Sequence, residues 1–214
     1  MATTTTNYGF DIPQSTDLVK DGATAIATLG QDIDTAMNTA LGTKKAMGVL
    51  LSTVSFSGVA STSFAANTFT STYTNYKILW RITAATADAN LFLRLRASGS
   101  DASAANYSYG TYGFRSNNTS FNYGAVSDTS YYMGSTEETS PDNFRFFLDI
   151  DLAEPFVADY TSIKHISAGC DGSSNYTGQS GGGFHSIKTA YDSATLAVAS
   201  GNMTGFYSVY GYNK

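Results

Sequence analysis

The sequence predicts a mainly β protein: an N-terminal extended arm and a single helix, followed by an antiparallel β-sandwich, jelly-roll-like domain. Two observations predict it. Residues 19–40 carry the only clear helical period in the chain. From residue 46 onward, short runs alternate apolar and polar residues between clusters of Gly, Ser, Asn and Asp. Eight or so such runs without intervening helices bury their apolar faces by packing sheet on sheet. Residues 1–45 are therefore expected to form an anchor and oligomerisation segment, and residues 46–214 a β-sandwich knob.

In order along the chain, four threonines, Tyr8, Phe10 and Ile12-Pro13 read as an extended arm that lies on something. The helix follows. Its small and apolar positions Val19, Gly22, Ile26, Leu29, Ile33, Ala36 and Ala40 alternate by three and four, the seam of helices packed side by side. Asp21 or Ser15 can cap its start, and Gly42 with Lys44-Lys45 reads as its stop. Gly22 and Gly30 each cost about 1 kcal/mol relative to Ala, so a weak helix with a narrow stripe asks for a partner. A copy of itself is the expected one.

The strongest strand signals are residues 76–82, 91–96 and 144–152. Shorter candidates are 48–56, 162–169, 195–198 and 206–212, with broken strands between 107 and 133. Residues 171–184 read as a Gly-rich loop.

Composition narrows the partners. Charged residues make up 14% of the chain, well below the usual quarter, and Thr, Ser, Asn and Gly fill the gap. Such a surface suits a protein packed in an assembly. The net charge is −5 and the longest basic run is Lys44-Lys45, so nucleic acid is not an expected partner. No apolar run is long enough for membrane insertion, and the first residues lack the pattern of a Sec signal. The lone Cys170 leaves no disulfide framework and no multi-cysteine zinc site.

Reactive side chains are scarce. His165 and His185 lie in different segments, and no nucleophile-elbow spacing marks a serine. Cys170 reads as a small buried hydrophobe. Asp149 and Asp151 share one face of a run, as do Arg94 and Arg96, and the four form a cross-strand ladder if their strands pair. Two acids also suit glycoside hydrolysis, the rival enzymatic reading. No catalytic residue, metal ligand or cofactor is otherwise implied. Tyr107, Tyr109, Tyr112, Tyr123, Tyr131 and Tyr132 stand among Ser, Gly and Asn, the composition of an adaptable binding surface. They are the candidate receptor-binding residues, with some of them expected to fill the sandwich instead.

The stretch TTTTNYGFDIPQSTDLVKDGATAIATLGQDIDTAMN, with its T-D-L-V-x-D-G core, resembles the N-terminal segment of tail, baseplate and fibre proteins of tailed bacteriophages. The runs at 73–79 (Y-x-N-Y-K-I-L), 91–99 (L-x-L-R-L-R-A-S-G) and 207–212 (Y-x-V-Y-G-Y) are similar to the distal domains of phage structural proteins. The resemblance implies a homotrimeric virion protein, made in the host cytoplasm. It would be mounted on other virion proteins through Tyr8, Phe10, Ile12, Val19, Ile26, Leu29 and Ile33. Its knob would attach to a host-surface glycan or protein. The chain lacks a long fibrous shaft, so a short tail fibre, a baseplate-type component or a capsid-mounted head fibre or decoration protein all fit.

Overall fold

Helix α1 (Val19–Thr43) is the centre of the first of two units, Met1–Met47; the second is Gly48–Lys214. The computed structural model describes residues 3–4, 9–12, 19–43, 48–136, 146–170 and 175–213. In the first unit, β1 (Thr3–Thr4) and β2 (Asp11–Ile12) form a minimal antiparallel ladder, and β2 runs beside α1. The helix begins two residues before Asp21, which therefore does not cap it. Its carboxylate lies in the first turn, where the helix dipole favours negative charge. Gly42 does not stop the helix, which continues to Thr43; Ser15 and Lys44-Lys45 lie outside the described residues. Along the seam, Ile26 and Ile33 are 64% and 40% exposed, while Leu29 is half-buried.

The second unit is a sandwich of two unequal antiparallel sheets. Its strands are β3 (Val49–Val59), β4 (Ser61–Ser63), β5 (Asn75–Ala85), β6 (Ala89–Ala97), β7 (Ser100–Asp101) and β8 (Tyr107–Arg115). Then come β9 (Ser120–Asp128), β10 (Tyr131–Thr136), β11 (Phe146–Ala153), β12 (Thr161–Cys170), β13 (Tyr176–His185), β14 (Ser193–Val198) and β15 (Met203–Tyr212). The large sheet runs β3-β15-β5-β11-β12-β13-β8-β9. The short one runs β10-β6-β14-β4, with β7 paired to the end of β6. The chain is thus mainly β, an N-terminal helix followed by an antiparallel β-sandwich.

Strict alternation explains the core. Tyr76, Ile78, Trp80 and Ile82 of β5 and Phe146, Leu148, Ile150 and Leu152 of β11 face inward. Leu91, Leu93 and Leu95 of β6 and Ala194, Leu196 and Val198 of β14 meet them from the short sheet. Each large aliphatic side chain buried this way is worth roughly 1.5–3 kcal/mol.

Asp149 and Asp151 do not form a ladder with Arg94 and Arg96, because β11 lies between β5 and β12 while β6 belongs to the other sheet. The acids instead meet Lys77, at 2.5 and 3.1 Å, and Asp151 also meets Lys164 at 3.4 Å. Burial alone would pull the Lys77 ammonium down, but the two carboxylates outweigh it and raise its pKa. Arg96 pairs with Asp101 at 3.2 Å.

The Gly-rich stretch expected as a loop over 171–184 is a strand from Tyr176 onward, and Gly178, Gly181 and Gly183 are packing positions in it. A Cβ on Gly183 would overlap the Ser108 carbonyl and Tyr109; one on Gly181 would lie 2.5 Å from the His165 ring. On Gly178 it would lie 2.5 Å from the Phe114 ring. Gly182 points to the open face, with its nearest neighbour at 3.9 Å. Small residues on β13 let side chains of β8 and β12 lie across it.

One of those side chains joins the sheets. His165 of β12 is fully buried, with Tyr131 Oη of β10 3.0 Å from its Nδ1 and Gln179 Nε2 3.2 Å from its Nε2. Burial pulls the imidazole down to about 4. Cys170 ends β12 and is buried, as expected of a small hydrophobe.

Two measurements test this packing. Gly183→Ala should cost about 1–3 kcal/mol in urea unfolding, the usual cost of overpacking, whereas Gly182→Ala should be nearly neutral; equal effects would contradict the register of β13. His165 also makes stability pH-dependent. Its folded pKa lies below the ordinary value of 6.5, so its contribution is complete above pH 6.5 and is lost as pH falls toward 4. Over that window wild type should lose about 3 kcal/mol more than His165→Gln. Parallel pH profiles would contradict a neutral buried imidazole.

Candidate functional site

Four strands of the short sheet cannot roof eight. At one end the inner face of the large sheet runs on into β8 and β9, past the cover of β10, which packs over β8, β12 and β13. A groove of about 470 Å³ follows this step. One wall is the outward face of β6, where Asn90, Phe92 and Arg94 alternate with buried leucines. The other is Tyr109 of β8 with Tyr123 and Asp128 of β9, and Tyr132 of β10 stands between them. A smaller pocket of about 60 Å³ shares Asn90, Tyr123 and Tyr132 with the groove and adds Arg115, Phe121 and Gln179.

Two bulges aim these side chains. Tyr131 and Tyr132 oppose Leu93 and Phe92, but Gly134 already opposes Leu91, so Met133 is an extra residue in β10. Tyr131 then points inward to His165, while Tyr132 lies over the step. In β9, Tyr107 opposes Asp128 and Tyr109 opposes Ala125, three residues against two. Ser127, at φ 60°, takes up the extra length and turns Asp128 onto the face of Tyr123.

The rings form a continuous cluster. Tyr109 stacks on Tyr132 with centroids 6.2 Å apart, and Tyr123 meets Tyr132 edge-on at 5.5 Å. Phe121 lies 5.9 Å from Tyr123, and the Arg115 guanidinium sits 4.5 Å over Phe121. Tyr109 Oη donates to Asp128 Oδ2 at 2.8 Å, and the Thr129 amide donates to Asp128 Oδ1 at 2.6 Å. Arg94 Nε donates to the Thr129 carbonyl at 3.2 Å. Burial pushes the Tyr132 phenol up to about 12 and raises Tyr109 further, with Asp128 adding to the latter. Both phenols are therefore neutral hydrogen-bond donors at ordinary pH.

The six tyrosines chosen from sequence divide three ways. Tyr109, Tyr123 and Tyr132 come together in the groove. Tyr107 and Tyr131 are fully buried and cannot be receptor-binding surface: Tyr107 Oη accepts from the Leu95 amide at 2.8 Å, and Tyr131 holds His165. Tyr112 is 63% exposed but points to the opposite face of the large sheet, since it alternates with the inward Thr111. Sequence reasoning missed Asn90, Phe92, Arg94, Phe121 and Asp128 as partners of the tyrosines. The alternation 90–94 puts three of them on one face, but nothing in it says that β9 curls against that face.

Of the anchor residues, Phe10 is half-buried, and Ile26, Leu29 and Ile33 lie along α1 as described above. Tyr8 and the side chains of Ile12 and Val19 lie outside the described residues.

The arrangement can bind; its acid-base equipment is sparse. Among the described residues lining the groove and pocket, Asp128 is the sole carboxylate. His185 Nδ1 faces the Tyr191 hydroxyl at 3.0 Å, and His165 faces a phenol and an amide. No group of three or more His, Cys, Asp or Glu among the described residues could hold a metal ion, and no described helix is long and apolar enough to cross a membrane.

Compared with known proteins, the chain matches no protein-family model, no curated protein and no solved structure.

Proposed function

We propose that this chain is a non-enzymatic structural protein of a tailed-bacteriophage particle, a short tail fibre or baseplate-type component whose β-knob attaches to glycan on the host surface. The observation that carries attachment is the ring-lined groove beside β10. Tyr123, 52% exposed, and the half-buried Tyr109 offer flat apolar area to the C–H faces of a sugar, with the buried Tyr132 packed against both. Asn90, Arg94 and Asp128 offer polar groups at the rim. The phage assignment rests on the N-terminal resemblance. The exposed Ile26 and Ile33 on a 25-residue helix support self-association, and a homotrimer fits that resemblance. The arm and helix would then mount the knob on other virion proteins. Three weak sites on one symmetric knob would act by avidity.

A second reading within the same class is a capsid-mounted head fibre or decoration protein. Exposed Phe147, Ile166 and Phe206 on the outer face of the large sheet favour it, because apolar area there suits packing on another protein. A polysaccharide hydrolase is less well supported. Its expected acids, Asp149 and Asp151, are held by Lys77 on that outer face, away from the groove.

The purified protein should sediment as a trimer, and Ile26→Asp with Ile33→Asp should dissociate it; a monomeric wild type contradicts the seam. Tyr123→Ala should leave Tm within a degree or two and lower adsorption of particles to host cells tenfold or more. Unchanged adsorption would favour the decoration reading.

A further inference from the structure

The groove places an arginine without a carboxylate partner among the described residues beside its rings. The chain carries a net charge of −5, and the groove itself holds one guanidinium, Arg94, and one carboxylate, Asp128. That carboxylate is already engaged on both oxygens, by the Tyr109 hydroxyl and the Thr129 amide. Arg94 is held differently. Its Nε donates to the Thr129 carbonyl, which fixes the plane of the guanidinium, and no carboxylate among the described residues lies within ion-pair distance of it. A guanidinium fixed through one nitrogen presents its remaining donors as a planar fork, the geometry that pairs bidentately with a carboxylate. Phe92 and Tyr132 line the same groove as this fork.

We infer that the groove selects an acidic saccharide: a sugar ring lies against Tyr123 and Tyr109 while its carboxylate is received by Arg94. This rests on the proposed glycan-binding role and adds the charge class of the ligand. Uronic acids and nonulosonic acids both supply a ring-borne carboxylate, and the two sources are separated by the probes below. Arg94 is the specificity residue and the rings are the platform. The negative net charge of the chain works against non-specific adsorption of polyanions, so discrimination depends on the local fork rather than on the overall field.

The test uses the full chain with an oligogalacturonate, an oligosialic acid and the carboxyl-reduced counterpart of each, titrated calorimetrically at low and high salt. At least one carboxylated probe should bind tenfold or more tightly than its reduced counterpart, and the difference should shrink as salt is raised. Which of the two shows the preference identifies the sugar class. Arg94→Gln should collapse the ratio toward one, and Arg94→Lys should restore part of it. Equal binding of carboxylated and reduced forms by wild type would overturn the charge selectivity while leaving the glycan reading intact, and it needs no variant to be read. Discrimination that survives Arg94→Gln in a folded variant would also overturn it. Absence of binding to all four probes, together with adsorption unaffected by Tyr123→Ala, would overturn the selectivity and the glycan reading together.

Discussion

An eight-stranded sheet presents more inner face than β10, β6, β14 and β4 can cover, and the surplus governs the rest of the domain. Where the sheets match, apolar side chains from β5, β11, β6 and β14, aromatic and aliphatic together, close the core. Where they do not, the interior turns polar: Tyr131, His165 and Gln179 span the join by hydrogen bonds rather than by apolar contact alone. A buried network of this kind is stable only when each member keeps its partner, and that requirement fixes how far β10 can shift over β12. The groove is what remains beyond the last hydrogen-bonded column.

Glycine on β13 and rings on its neighbours are two halves of one device. Removing side chains from Gly178 and Gly181 makes room for Phe114 and His165 to lie across the strand instead of standing away from it. The inner side of this exchange seats the imidazole that Tyr131 needs. The outer side lays an exposed aromatic over an otherwise bare backbone. The polar interior and the ring-rich surface therefore have a common cause in a strand almost without side chains at its centre.

This explains what the sequence disclosed and what it withheld. Strands β5, β6 and β11 were visible because Ile, Leu, Trp and Phe repeat every second residue along one face. Strand β13 was hidden because its alternation sets glycine against Ser, Thr and Gln, and no apolar period remains. Its meaning depends on Phe114 and His165, which reach it only through pairing. The tyrosines were recognisable as a set but not as individuals. Tyr107 and Tyr109 share the inward face of β8, yet only Tyr107 is fully buried, so the reach of the short sheet decides between core and groove. The extra residues at Met133 and near Ser127 shift the register of β10 and β9 against their neighbours. On α1, spacing marked the stripe of Ile26 and Ile33, whereas the first and last turns followed local chemistry that shifts readily by a residue or two.

The same bulges have a consequence at the rims of the large sheet. Its outermost strands are β3 and β9, and both are irregular. Against β15, β3 carries two extra residues, one beside Gly58 at φ 63°, and β9 carries the one near Ser127. A kinked rim cannot template a straight incoming strand, so these edges resist the backbone-to-backbone growth that leads to fibrils. For a chain with little charge to keep its copies apart, that protection is geometric. Neighbours can crowd together through side chains while each sheet stays closed to the next.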